Sequence, residues 1–216
     1  MKRRSMLSVM LFGGFAAGCS SIGSGVDRVT KAATAPQAPK LQAAMRSLWH
    51  GHIDTTRDYA RAVHAGDRSA AQRAETAVVD NAQQIAGAVG GFYGQGAADG
   101  TLKLLAGHWQ GVKSLTDAAK ARDAAGEQRA MDALAANATA IARFFAGANP
   151  KHWTESALQG ALLAHAGHHR QQVDAMMANV PAAQQATLWA NMQQHMDMIA
   201  DVLADGIARQ FPDKVS

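Results

Sequence analysis

The sequence predicts an all-α protein, an antiparallel helical bundle of about six helices built from three repeated αα-hairpins. Three observations carry that expectation. The segments beyond residue 40 are Ala-rich with apolar residues at i, i+3, i+4 and i+7, and no sustained run of alternating β-branched residues interrupts them. The breaks between segments are well marked by Gly, Asn and Pro. One spacing recurs three times, as expected of stacked supersecondary units.

In that recurring spacing a His is followed 29 or 30 residues later by an Asn or His, which is itself followed at +4 by Ile-Ala. His52 leads to Asn81 and Ile85-Ala86, His108 to Asn137 and Ile141-Ala142, and His165 to His195 and Ile199-Ala200. The first two copies are in register at an offset of 56, which also carries Leu48 onto Leu104, Gly51 onto Gly107, Asp67 onto Asp123 and Gln72-Arg73-Ala74 onto Gln128-Arg129-Ala130.

From the N-terminus, residues 1–18 read as a secretory signal peptide: Lys2-Arg3-Arg4, an apolar run from Met6 to Phe15, then Ala16-Ala17-Gly18. The run is too short for an ordinary transmembrane helix. The small residues before Cys19, the sole cysteine, resemble a bacterial lipobox in which that thiol is lipidated after cleavage. Ser20 stands where an inner-membrane retention signal would place Asp, so the expected location is the periplasmic face of the outer membrane. Residues 19–40, rich in Ser, Gly, Ala, Thr and Pro, read as a tether, and 41–216 as the bundle domain.

Within that domain the breaks at Ala65-Gly66-Asp67, Gly90-Gly91 through Gly94 to Gly100, Gly126, Gly147 to Pro150, Asn179-Val180-Pro181 and Phe211-Pro212 delimit the helices. The expected spans are roughly 44 to 65, 68 to 90, 99 to 122, 126 to 147, 153 to 178 and 182 to 210. Short connections favour antiparallel neighbours.

Composition narrows the function. The chain carries 21 basic and 17 acidic residues, but Lys2, Arg3 and Arg4 leave with the signal, so the mature protein holds 18 against 17. No Lys/Arg cluster with interleaved aromatics is present, which argues against nucleic acid as a partner. No G-x-S-x-G, HExxH, P-loop or dinucleotide fingerprint occurs, and the Glu-x-x-His pairs of di-iron bundles are absent. The chain therefore reads as a binding or accessory protein before an enzyme.

In each hairpin the leading His and its partner lie at comparable distances from the loop, so His52, His108 and His165 are expected to converge with Asn81, Asn137 and His195 in one inner layer. Two uses fit such a layer. It can fix helix register through hydrogen bonds, or it can hold a small polar ligand or a transition-metal ion, imidazole being a common ligand and Asn a poor one. His165, His168 and His169, at i, i+3 and i+4, put at least two imidazoles on one helical face. With His195 and Met196 nearby, the metal set reads as His165, His169, His195 and Met196, and copper or zinc is the expected ion. Met at such positions also fills helical cores. His50, His64 and His152 have no evident partners and read as surface residues, and the acidic pairs Asp54/Asp58 and Asp197/Asp201 as solvated faces.

Leu48-Trp49-x-x-His52 with Thr56-Arg57, Leu104-Leu105-x-x-His108, Asn137-Ala138-x-x-Ile141-Ala142 with Ala148-Asn149-Pro150, and Gly206-Ile207-x-x-Gln210-Phe211-Pro212 resemble an uncharacterised family of small bacterial all-helical proteins. The likeness runs from about residue 46 to 212. Members sometimes carry a glycosyltransferase label, yet no α/β nucleotide-sugar fold can be built from this sequence. The resemblance implies His52, Asn81, His108, Asn137 and His165 as family positions. Gly51 and Gln84 stand where the family often has acidic residues.

Taken together, these features predict a membrane-anchored envelope lipoprotein that captures a transition-metal ion or small polar ligand in its His/Asn layer. The alternative is a structural or interaction module, with an envelope protein as partner, whose polar layer serves packing alone.

Overall fold

The structure, a computed structural model, describes residues 38–215. The signal peptide, Cys19 and most of the expected tether lie outside the described residues. Six helices follow in order: α1 (Pro39–Ala65), α2 (Arg68–Tyr93), α3 (Gln95–Ala121), α4 (Ala124–Ala148), α5 (Glu155–Met177) and α6 (Ala182–Gln210), closed by a 3-10 turn at Pro212–Lys214. The all-α bundle expected from the periodicity is present, and no described residue is in a strand. Among the described residues no helix is long and apolar enough to cross a membrane.

Two boundaries differ from the sequence reading. α1 begins at Pro39, inside the stretch assigned to the tether. Pro suits a first helical turn, where its missing N–H has no intrahelical acceptor to lose. The glycine-rich break expected over 90–100 shrinks to Gly94 alone, at φ +86°. Gly90 and Gly100 are helical, and their neighbours leave no room for a side chain: a Cβ at Gly100 would meet the Phe144 ring at 2.6 Å, and one at Gly90 would meet the Ala98 Cβ at 2.9 Å.

The repeated Asp67 and Asp123 are helix N-caps, accepting from the Ala70 and Gly126 amides at 2.9 Å and satisfying N–H groups that the helix itself cannot. Before each cap the preceding helix ends on a left-handed residue, Gly66 (φ +75°) after α1 and Arg122 (φ +58°) after α3. The first two hairpins are thus alike down to their turns, whereas the third turns through Asn179 (φ +53°) into Pro181, with no side-chain cap.

Each helix packs on its neighbour in sequence, and α6 returns to α1, so the six form a closed ring. The odd-numbered helices also touch one another, which places α1, α3 and α5 inside and α2, α4 and α6 outside. Beside a small cluster of Ala60, Ala119, Val173 and Met176, two larger apolar clusters fill the interior. One contains Trp49, Ile53, Leu105, Leu158 and the α6 residues Met192, Met196 and Leu203; the other contains Tyr59, Trp109, Val112, Leu115 and Ala166. Along α1, His52 lies between Trp49 and Tyr59; along α3, His108 lies between Leu105 and Trp109. The histidines therefore occupy the level at which the two clusters meet.

The α1–α6 closure corrects the sequence reading at three residues. Asp197 and Asp201 are not a bare solvated face, and His50 is not partnerless: His50 Nε2 meets Asp197 at 2.8 Å, while Arg46 binds Asp201 through both Nε and Nη2. Arg57 adds a cation–π contact over Trp189 at 4.1 Å. At one end of the bundle, Asn149 Nδ2 donates to the Gly206 carbonyl at 2.8 Å, Trp153 Nε1 to the Val202 carbonyl at 3.1 Å, and Tyr93 Oη to Gln210 at 2.7 Å. The terminal Gly-Ile-x-x-Gln-Phe-Pro segment thus locks α6 onto the α4–α5 connection.

Candidate metal centre

The three leading histidines converge, as the repeat requires, because equivalent positions on α1, α3 and α5 face the middle of the ring. Ring centroids lie 5.4 Å apart for His52–His108, 5.5 Å for His52–His165 and 5.4 Å for His108–His165, an almost equilateral triangle. His169, one turn beyond His165 on α5, supplies a fourth ring at 5.7, 5.5 and 4.5 Å from His52, His108 and His165. All four are buried, at 2–5% exposure. One nitrogen of each lies within 4.8 Å of those of the others.

Six similar separations among four rings describe a tetrahedron. Its centre lies roughly 3.3 Å from each centroid, which leaves about 2.2 Å once a ring radius of about 1.1 Å is removed, close to the 2.0–2.1 Å of a metal–imidazole bond. His165 Nε2 stands 3.4 Å from His52 Nε2 and 3.1 Å from His169 Nε2. Bonds of that length to a tetrahedral ion separate its ligand atoms by about 3.3 Å. Two of the six nitrogen–nitrogen distances are thus already those of a tetrahedral site, and all six lie within 4.8 Å.

Asn81, Asn137 and His195 do not join this layer. Each reaches across its own hairpin to the carbonyl one turn before the leading His: Asn81 Nδ2 to Leu48 at 3.0 Å, Asn137 Nδ2 to Leu104 at 3.0 Å and His195 Nε2 to Ala161 at 2.9 Å. The recurring pair is thus one His aimed at the bundle centre and one amide or imidazole clamping the hairpin. Since a carbonyl only accepts, His195 Nε2 carries the proton in that contact. The short Asn side chain needs a close approach, and the residue before the leading His is Gly51 or Gly107 accordingly. A Cβ would meet Asn81 Nδ2 at 2.7 Å in the first case and Asn137 Nδ2 at 3.0 Å in the second. In the third hairpin the longer imidazole of His195 reaches past Ala164 instead.

Of the expected metal set His165, His169, His195 and Met196, the structure brings only His165 and His169 into the tetrahedron. His195 is held at Ala161 and stacks edge-on against His168 at 4.7 Å, while Met196 packs in the apolar core at 1% exposure. His52 and His108 take the two remaining places. The spacing along the chain marks all four histidines, but not which side chains share the axis. His64 and His152 lie away from the cluster.

Burial governs the electrostatics. Removal from water pushes His52 down to about 3, with the neighbouring His108 adding to the shift. Burial likewise takes His108 down to about 4, opposed in part by the Asn137 side chain. His165 and His169 fall well below the ordinary imidazole range for the same first reason, reinforced by the other histidines. Four neutral rings with lone pairs available near neutral pH are what a transition-metal ion requires.

Without an ion the cluster is incompletely satisfied. A neutral imidazole has one N–H, so only one proton can lie between His165 Nε2 and His169 Nε2, and His108 Nε2 is buried with no hydrogen-bond partner; His165 Nδ1 is also unpartnered, on the side of the ring away from the cluster. Each such orphan costs about 1–3 kcal/mol. No protein-family model, curated protein or solved structure matches the chain.

Proposed function

We propose that this protein is a metal-binding envelope lipoprotein that holds one transition-metal ion between His52, His108, His165 and His169. The observation that carries the reading is the tetrahedron of buried, neutral imidazoles. Four buried imidazoles from three helices, with His108 Nε2 left unpartnered, are a costly way to pack a core when apolar residues would serve. Anchoring through Cys19 and exposure to the periplasm rest on the signal-like first 18 residues and on the Ser/Gly/Pro-rich segment after them. A small polar ligand is less well supported, because Asn81 and Asn137, which would have recognised it, spend their amides on the hairpin carbonyls.

The rival reading, a packing layer in an envelope interaction module, draws on the His165–His169 contact at 3.1 Å, which can fix register without any ion. Equilibrium dialysis of the full chain, prepared without a histidine tag, separates the two. One equivalent of metal retained by the wild type and lost when His52 and His165 are both changed to Ala supports the metal centre. Wild-type retention no greater than that of the variant leaves the packing role.

A further inference from the structure

Given a metal at this centre, the reading on which the inference rests, the four imidazoles also bear on which ion belongs there. We infer that the site is selective for copper(I), a monovalent ion, over zinc(II) and copper(II).

Charge favours the monovalent ion. Among the described residues no Asp or Glu is buried, and the side chains that could share an ion at this centre are histidines alone. The cost of taking an ion out of water scales with the square of its charge, so a divalent ion pays about four times the monovalent penalty in a low-dielectric core. Zinc sites ordinarily offset this with thiolate, carboxylate or a bound hydroxide. Among the described residues there is no cysteine, and His169 fills the fourth vertex that a hydroxide would need.

Shape disfavours the other copper state. Copper(II) with nitrogen donors prefers a square-planar or tetragonal shell. A square of rings would make two of the six separations about 1.4 times the other four. The separations observed run from 4.5 to 5.7 Å, with no such pair of diagonals. Imidazole donors suit copper and zinc alike, and a tetrahedral shell suits zinc as well as copper(I), so the uncharged, water-excluding surroundings decide against zinc(II) and the shape decides against copper(II).

The test is a competition on the full chain in non-ionic detergent, under anaerobic reducing conditions, with a chromogenic copper(I) chelator as indicator. The expected result is one equivalent of copper(I) held against the chelator and not displaced by a hundredfold excess of zinc(II). Copper(II), titrated separately in air, should bind at least tenfold more weakly than copper(I). Displacement by equimolar zinc(II), or copper(II) binding as tight as copper(I), would overturn the selectivity while leaving a metal centre in place. If neither copper nor zinc is retained, the metal reading fails as well. A second variant, His169→Gln, opens the fourth vertex to solvent and should narrow the copper(I) preference over zinc(II) at least tenfold. An unchanged ratio in a variant that keeps its helical circular dichroism would contradict the role given to His169.

Discussion

Asn81 Nδ2 lies 2.7 Å from where a Cβ on Gly51 would stand, so the absence of a side chain at Gly51 is what lets the amide reach the Leu48 carbonyl. Gly107 and Asn137 repeat the relationship in the second hairpin. Gly51→Ala should therefore dislodge the clamp and destabilise the protein by about 1–3 kcal/mol, despite the usual gain of Ala over Gly inside a helix. Urea denaturation of the variant tests this. A stabilised Gly51→Ala would show that Asn81 can move aside at no cost.

The turn after α3 carries the opposite opportunity. Arg122 adopts φ +58° at the position that Gly66 fills in the first hairpin. A side chain in the left-handed region costs roughly 1 kcal/mol, so Arg122→Gly is expected to raise the stability by about 0.5–1 kcal/mol. Thermal melts of the two proteins at equal concentration would register it as a rise in Tm of a few degrees.

Much of this arrangement is legible in the sequence, and the part that is not has a geometrical cause. The offset of 56 marks the leading histidines, the Asp caps and the Asn partners together, because a repeat copies packing and site alike. It cannot separate two faces of one hairpin. Asn81 and Asn137 sit at the helix–helix seam one turn from the His level, where they meet carbonyls, whereas His52 and His108 sit on the face turned to the ring's centre. His195 follows the Asn pattern for the same reason, and so falls outside the metal set that its neighbourhood of Met residues suggests. The α1–α6 ion pairs are hidden in the sequence because residues about 150 apart meet only when the ring closes.

Acid should unfold the metal-free protein early. Folded His52 and His108 have values pushed down to about 3 and about 4, against an ordinary 6.5, so the unfolded chain takes up their protons first as the pH falls. Their contribution to stability is complete above pH 6.5 and declines as the pH drops toward their folded values, by about 1.4 kcal/mol per pH unit for each ring. His165 and His169 are shifted in the same direction by burial, so they add to the loss over the same window. Far-ultraviolet circular dichroism across pH 7 to 4 should show cooperative loss of helix. A transition unchanged in a His52→Phe/His108→Phe variant would remove these rings as its cause.

Metal should reverse that sensitivity. An ion bound only to the folded cluster stabilises it by mass action and competes with protons for the same nitrogens. Saturating metal is expected to move the acid transition to lower pH, and a chelator to restore it. Equal acid midpoints with and without metal would place any bound ion away from the four histidines.

The most direct measurement is anomalous diffraction from a crystal of the metal-loaded protein, collected on both sides of the metal's absorption edge. The account predicts one peak on the axis of the bundle, bonded to His52, His108, His165 and His169 at about 2.0–2.1 Å. A peak at the half-buried His168–His195 pair instead, or no peak among these helices, would contradict it.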